Sequence, residues 1–571
     1  MQRIKNLLPQ RNINKLIIAI TAWQFLSVVL MAVGTWPPHV AVLSAVLLGM
    51  FIIFAKPYYS VLLLILSIPF YVILPNPFLA NFPMWRILFI LLFAVWSVRL
   101  LILQRAWLLR LFVLQKWGSL VSSTGAGFRA TALNALRRMN SRLMPWDKVA
   151  ILFFIIALFS LMIARFPIHG VKQILFVANI YAFYLVIINV VTDQAKVKEL
   201  IRYTTYSLGI IVGLGFVQYI GTLFSVPYYF WQYWALMVSG LYYGLPLANV
   251  LAYSNSWFSD ANGTQALRMF GILPDTHAFG VMALFLLGFL VPHLKSQSTK
   301  ILDTLRTQKW YVLMVILLAS FAIMASGTRG VWVAMLGPAV IAVVAYWQKL
   351  LRPFLKIMLA VYVAIIVLFI LSPFISQALN VVRTVDVDDN FLNRAGSIYD
   401  LKESSNVGRL EIWQESLKYA TLHPFGVGYG NFIVSIVHEI PKDATFDQVS
   451  NMKNLRYNLP QGFVTAHSLY LQLLVELGFA GLLAFILFWW EYFERLWLFI
   501  NKYGTDNNQY TNLSVSLALS FLWLLAYGVF DVTILNDRVL QYMFVCLAIS
   551  GLIFAKYQSF ESDDVHSASQ P

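Results

Sequence analysis

Residues 466–490 read AHSLYLQLLVELGFAGLLAFILFWW. Beyond the polar opening at His467 and Ser468, only Gln472 and Glu476 interrupt the apolar side chains. A helix of roughly 20 such residues crosses the hydrocarbon core of a bilayer. A helix on the surface of a soluble protein would instead show a polar stripe on every turn. This segment therefore belongs in lipid, and it begins with a histidine near water.

The rest of the chain repeats the pattern. Its 571 residues are 60% hydrophobic, 16% aromatic and only 12% charged, against about 25% charged in soluble domains. Mean hydropathy is +0.72. Apolar runs fall near 14–35, 38–55, 59–79, 84–104, 148–166, 172–192, 203–224, 276–294, 309–326, 330–348, 356–376, 467–490, 511–530 and 537–556. The fold class is an all-α polytopic integral membrane protein of about fourteen transmembrane helices. The basic N-terminus and the run from Leu16 to Trp36 look like a signal sequence, but no small-residue cleavage site follows, so the run reads as a retained first helix. The single cysteine, Cys546, lies in the last run and reads as an apolar filler.

Charge orients the spans. The formal net charge is +16, and its Lys and Arg cluster in short links, as the positive-inside rule requires; nucleic-acid binding is excluded on that ground. Arg3, Lys5, Arg11 and Lys15 put the N-terminus inside. The most basic segment, 105–147, falls inside after four spans and mixes Trp107, Leu108 and Phe112 with its charges, which suits an amphipathic helix on the inner leaflet. Later inside links carry Lys196, Lys198 and Arg202, then Lys295, Lys300 and Arg306, then Lys349, Arg352 and Lys356. The divisions expected are 1–147, N-terminal spans plus the basic linker; 148–556, the main membrane domain; and 557–571, a cytoplasmic tail.

Two long segments then fall outside. One, 225–275, is rich in Tyr and Trp, as at a lipid–water interface. The other, 377–466, lies between helices 11 and 12 and is the largest polar loop. Its ten acids, from Asp386 to Asp447, nearly balance its eight bases, from Arg383 to Arg456, so it is no polybasic lipid tether.

Four motifs converge on the outer side. Ser326-Gly327-Thr328-Arg329-Gly330 places an arginine at an outer helix end, either as a snorkelling interface residue or as a functional cation. Gly408-Arg409-Leu410-Glu411-Ile412-Trp413 opens a helix with Leu410, Trp413, Leu417 and Ala420 on one apolar face and Pro424 ending it. Arg409 is expected in its first turn, where anions are favoured; an amphipathic surface helix fits equally well. Pro424-Phe425-Gly426-Val427-Gly428-Tyr429-Gly430-Asn431 follows a helix with G-x-G-x-G spacing, so it is no dinucleotide fingerprint; tight turning and close packing account for it. Ala466-His467-Ser468-Leu469-Tyr470 puts His467 at a span entrance, suited to a general base or to a polar interface role. Arg268, Asp275 and His277 add charge where the segment 225–275 meets the next span. Arginine binds phosphate bidentately and keeps its charge, so boundary arginines suit a lipid pyrophosphate. Asp386-Val387-Asp388-Asp389 mimics a metal-binding D-x-D but lies outside, where nucleotide sugars are absent, and reads as a solvated acidic turn.

The order Ser326–Gly330, Gly408–Trp413, Pro424–Asn431 and Ala466–Gly478 resembles the O-antigen ligase and O-antigen polymerase family of bacterial envelope enzymes, over roughly residues 200–550. The resemblance implies a GT-C-like membrane glycosyltransferase of the inner membrane with its active face extracytoplasmic. The implied donor is a glycan on undecaprenyl pyrophosphate, the acceptor a sugar hydroxyl on lipid A–core or on another lipid-linked glycan. Protein O-glycosylation ligases look alike at this level. It implies no metal and no cofactor, and by analogy an inverting single displacement. In that chemistry His467 is the base and Arg329, Arg409 and Arg268 clamp the diphosphate. His277, Asp275 and Glu476 are secondary candidates. The competing class is a transporter or flippase of lipid-linked glycans, which should place ionisable residues deep in its spans. The notable charges lie instead at outer helix ends, with Glu476 the main exception.

Overall fold

The computed structural model describes residues 10–75, 82–115, 143–224, 231–245, 258–261, 264–293, 310–347, 404–437, 465–503 and 509–568, with residues 248, 363, 367, 440, 442, 443, 445 and 448. Its longer helices are α1 (Gln10–Ala32), α2 (Val40–Phe54), α3 (Pro57–Ser67), α4 (Met84–Gln115), α5 (Pro145–Ser160), α6 (Pro167–Val190), α7 (Gln194–Phe224), α8 (Thr276–Leu290), α9 (Trp310–Ala325), α10 (Arg329–Ala334), α11 (Leu336–Trp347), α12 (Ser404–Leu422), α13 (Leu469–Tyr503), α14 (Gln509–Tyr527) and α15 (Asp537–Ala568). Without water to satisfy backbone groups, an apolar chain closes its hydrogen bonds within helices. Among the described residues, six helical stretches are long and apolar enough to cross a membrane: Asn12–Ala32, Pro167–Val190, Gln194–Gly221, Leu469–Tyr503, Gln509–Tyr527 and Asp537–Ala555. Five shorter apolar ones, Val40–Phe54, Pro57–Phe70, Thr276–Leu290, Leu313–Ala325 and Arg329–Val343, accompany them. The chain is a multi-pass membrane protein. The expected span 356–376, apart from residues 363 and 367, the D-x-D mimic and the central part of the basic linker lie outside the described residues.

One element departs from the helical expectation. Strands β1 (Phe258–Ala261) and β2 (Thr264–Leu267) form an antiparallel hairpin, Phe258 opposite Leu267 and Ala261 opposite Thr264. No alternation of apolar and polar residues announces so short a pair.

The chain divides into two compact units. The first comprises 1–148, 178–204 and 547–571. Its helices are joined by interhelical polar contacts of the kind that hold membrane bundles: Ser67 Oγ donates to Gln24 Oε1 at 2.7 Å, Trp23 Nε1 to Ser44 Oγ at 3.2 Å, and Tyr58 OH to Glu199 at 2.6 Å. Arg99 reaches the last carbonyls of α2, donating to Ala55 O at 2.6 Å and also to Ile53 O, which occupies acceptors a helix end leaves unpaired.

The second unit comprises 149–177 and 205–546. Here α8 packs on α9 and α14, and Gly288 lets α14 approach so closely that an added Cβ would stand 2.7 Å from Ser520 Oγ. Trp523 Nε1 donates to Val331 O at 2.6 Å, tying α14 to α10. Cys546 is buried, as a filler should be.

Helix α12 packs on α13, and two expectations about α12 are corrected. Its buried row is Ile412, Ser416 and Ala420, set in a cluster with Phe432, Ile433 and Val475, while Leu410 and Leu417 are 39% and 51% exposed. The row on the core is therefore rotated from the one read off the sequence, with Trp413 at its margin. The helix also begins at Ser404, a full turn before Gly408. Arg409 thus lies beyond the first turn, and the dipole argument for it lapses.

The glycine-rich loop after α12 explains a break in α13. At 35 residues that helix is about 52 Å long, and Gly478 interrupts it with φ 66° and ψ −167°. The loop fills the break: Val427 N–H donates to Val475 O, Gly428 N–H to Glu476 O, and Phe479 N–H to Pro424 O, at 2.9–3.1 Å. A Cβ on Gly478 would stand 2.2 Å from Pro424 O, and one on Gly426 2.4 Å from Glu476 O; only glycine fits. The Glu476 carboxylate accepts the N–H groups of Gly430 (2.9 Å) and Phe432 (3.3 Å) and the side-chain amide of Gln472 (2.6 Å). Its surroundings are those of an anchor for the loop.

Candidate active site

Arg268 begins a strap, 268–275, that leads into α8. Buried Gln218 of α7 uses its whole amide on this strap, accepting from Phe270 N (2.9 Å) and Gly271 N (3.1 Å) and donating to Arg268 O (3.2 Å). Trp234 Nε1 donates to Gly271 O at 2.7 Å, and Tyr243 OH to Ile272 O at 3.0 Å. Tyr243 is held in turn by Arg538 Nη1 at 2.6 Å. The Arg268 side chain lies across the turn at Gly327, whose φ is +63° and whose added Cβ would be 3.2 Å from Arg268 Cδ. Thr328 Oγ1 donates to Thr276 Oγ1 at 3.2 Å, joining the same turn to the start of α8. On the far side of Arg329, Gly330 abuts the Tyr527 ring, 2.8 Å from an added Cβ. The backbone of Arg329 is thus enclosed between the contacts of Arg268 and of Tyr527.

His467 has φ 45°, the only positive φ at a non-glycine among the described residues. Such a conformation costs on the order of 1–3 kcal/mol and persists only where the surroundings impose it. Here Ala466 N–H donates to Gln472 Oε1 (2.8 Å), Leu469 N–H to Gly528 O (2.7 Å), and Trp413 Nε1 to His467 O (3.3 Å). Three contacts from separate elements hold the turn.

The imidazole so placed faces a carboxylate. Asp531, in the connection between α14 and α15, has its Oδ2 3.8 Å from His467 Nδ1 and 3.4 Å from His277 Nδ1. His277 Nδ1 also contacts the Tyr527 hydroxyl. Burial raises the affinity of Asp531 for a proton, but the two imidazoles outweigh it and hold the carboxyl well below its usual range. The charges of Arg409, Arg268 and His467 all act on His277. Asp275 caps α8 by accepting Ala278 N–H at 2.6 Å, and burial pushes its carboxyl up to about 7.

Of the residues singled out in the sequence, Arg268, Arg409, His277 and His467 converge, Arg329 is built into the wall beside Arg268, and Asp275 caps the adjoining helix. Glu476 is occupied with the glycine loop. Sequence reasoning passed over Asp531 and Tyr527. The available signal for Asp531 was an acid in a short link between two apolar runs, at a helix end like those of the arginines. Tyr527 carried none, being one aromatic residue in an apolar helix.

Residues 313–486 match the family model described as O-antigen ligase. The chain carries an O-antigen ligase domain. Within the matched stretch lie Arg329, Arg409, His467 and the glycine loop; Arg268, His277 and Asp531 reach this O-antigen ligase domain from beyond its limits. No curated protein matches the chain.

Proposed function

We propose that the protein is a glycosyltransferase that moves a glycan from undecaprenyl pyrophosphate to a sugar hydroxyl on lipid A–core or on another lipid-linked glycan, at the extracytoplasmic face of the bacterial inner membrane. The observation that carries this reading is the pairing of His467 with Asp531 beside Arg268 and Arg409. With Nδ1 turned to Asp531, His467 would take the proton on Nε2, and a carboxylate behind an imidazole both orients it and stabilises its charged form, as in other acid–base sites.

The acceptor oxygen attacks the anomeric carbon as His467 Nε2 takes its proton. The bond from that carbon to the diphosphate oxygen breaks, and its electron pair leaves with the undecaprenyl pyrophosphate. Arg268, Arg409 and Arg329 stabilise the negative charge that develops there, each worth about 3–4 kcal/mol by analogy with oxyanion donors. A single displacement inverts the anomeric centre, and the arginines supply the positive charge without a divalent ion. The fourteen-span GT-C-like architecture and the outward face of the loop 377–466 belong to this reading, supported by the alternation of basic links.

The test is purified protein in lipid nanodiscs given a glycan on undecaprenyl pyrophosphate and candidate acceptors, without ATP. Release of undecaprenyl pyrophosphate is expected, lost in His467→Ala and strongly reduced in Arg329→Ala. Full turnover by His467→Ala overturns the base assignment. Absence of turnover with every acceptor, together with measured lipid flipping, favours a transporter.

A further inference from the structure

His277 is no part of the displacement just described, yet it shares its carboxylate. A single oxygen, Oδ2 of Asp531, is within ion-pair reach of Nδ1 on both His277 and His467. The same Nδ1 of His277 also meets the hydroxyl of Tyr527. These contacts compete. In one neutral tautomer Nδ1–H donates to Asp531. In the other, bare Nδ1 accepts the Tyr527 O–H and leaves Asp531 to His467.

We infer that His277 is a positioning residue that sets how strongly Asp531 supports His467, by exchanging its Nδ1 hydrogen bond between Asp531 and Tyr527. The inference rests on the transferase reading for its consequence in turnover, and on geometry alone for its effect on His467. When His467 takes the acceptor proton, Asp531 is the anion beside the new imidazolium. A hydrogen bond from His277 to Asp531 draws on that charge, whereas transfer of the bond to Tyr527 releases it.

The parts are fixed well enough for so small a change to matter. Facing His277 are Asp531 from the α14–α15 connection, Tyr527 from α14, Arg409 from α12, Arg268 from the strap and His467 from the turn before α13. Asp275, two residues before His277, acts on Tyr527. Tyr527 is buried and its ring abuts Gly330, so its hydroxyl cannot swing away. The Tyr527 and His277 rings are stacked, their centroids 6.1 Å apart.

Two substitutions should act in opposite directions. His277→Ala removes the competing donor, so Oδ2 of Asp531 is left to His467 and stabilises its imidazolium, while Thr533 Oγ1 keeps its bond to Oδ1 at 2.9 Å; the acid limb of the pH–rate profile should move to higher pH by about 0.5–1 unit. Tyr527→Phe removes the alternative partner and commits Nδ1–H to Asp531; the limb should move to lower pH. Both shifts should vanish in an Asp531→Asn background. The same midpoints are read without turnover from 15N-histidine NMR of the protein in nanodiscs, with the His467 resonance assigned by its loss in His467→Ala. Shifts of equal sign, or no shift in either variant, overturn the inference. Should His277→Ala not fold, Tyr527→Phe decides alone, an unmoved His467 titration being the negative result. If the wild type transfers no glycan but the NMR midpoints move as stated, the transferase reading fails and the coupling stands.

Discussion

Oδ2 of Asp531 stands 3.8 Å from Nδ1 of His467, and the pair is assembled from a short interhelical connection and a strained turn. If this carboxylate orients the base, Asp531→Asn should lower kcat by about 10²–10⁴-fold, the range of general acid–base effects, with KM little changed. The double variant Asp531→Asn/His467→Ala should be no slower than His467→Ala, because residues acting as one unit are not additive. Release of undecaprenyl pyrophosphate measures both. An additive loss would assign Asp531 a separate task.

Arg268 and Arg409 converge on His277 from different elements, the strap before α8 and helix α12. Removing either should cost about 10²–10³ in kcat, as for one preorganised donor to developing charge. Lysine at either position restores the charge without the planar two-pronged geometry, so a partial recovery is expected. Full recovery by lysine in the same assay would show that field strength, and not bidentate contact, is what the site uses.

The membrane class and the individual helices were legible because apolar length is a one-dimensional signal: each stretch long and apolar enough to cross a membrane falls on an apolar run of the sequence. The arginines and His467 were legible as charges at span ends. Asp531 was not, because its importance lies in a distance to His467 that only tertiary packing creates. The face of α12 was misread for a related reason. Leu410 and Leu417 are apolar, but the cluster around Val475 receives Ile412 and Ala420, and Ser416, buried in the same row, carries no hydrophobic signal. The hairpin Phe258–Leu267 was too short for any period to show.

Glu476 accepts two backbone N–H groups of the glycine-rich loop and the side-chain amide of Gln472 on its own helix. In Glu476→Ala those donors are left without an acceptor, each unsatisfied group costing about 1–3 kcal/mol, so a marked fall in thermal stability and in folded yield is expected. Glu476→Gln keeps one acceptor oxygen and should lose less. Size-exclusion chromatography after a heating series gives the comparison. A stable, monodisperse but inactive Glu476→Ala would instead place Glu476 in the chemistry.

Asp275 supplies a pH signature. Its carboxyl is raised to about 7 in the folded protein, against about 3.9 when unfolded. Below pH ~4 both states are protonated and the group imposes no penalty. As pH rises from there through 7 the unfolded state ionises first, and folding loses up to about 4 kcal/mol. Asp531 has the opposite sign: its depressed carboxyl contributes stability above its unfolded range that is lost only on acidification below about pH 4. Across pH 5–8 Asp531 stays ionised, and the difference between wild type and Asp275→Asn cancels the other ionisable groups and isolates Asp275. Asp275→Asn retains the acceptor for Ala278 N–H and cannot ionise, so its melting temperature should fall less than that of the wild type across this window. Equal slopes would mean that Asp275 is ionised in the native protein.

The last expectation concerns the backbone of His467 rather than its ring. A φ of 45° is unfavourable for any residue with a Cβ, and glycine adopts it freely. His467→Ala and His467→Gly both delete the imidazole and should both abolish turnover. They should differ in stability: glycine relieves the left-handed strain that alanine retains, and after its greater loss of unfolded-state freedom the net advantage of Gly over Ala should be about 1 kcal/mol. Paired thermal melts of the two inactive variants measure the difference directly. An alanine variant at least as stable as the glycine one would mean that the turn relaxes to a negative φ once the side chain is gone, and that the strain belongs to the contacts of the histidine with Asp531 and not to the frame set by Gln472, Gly528 and Trp413.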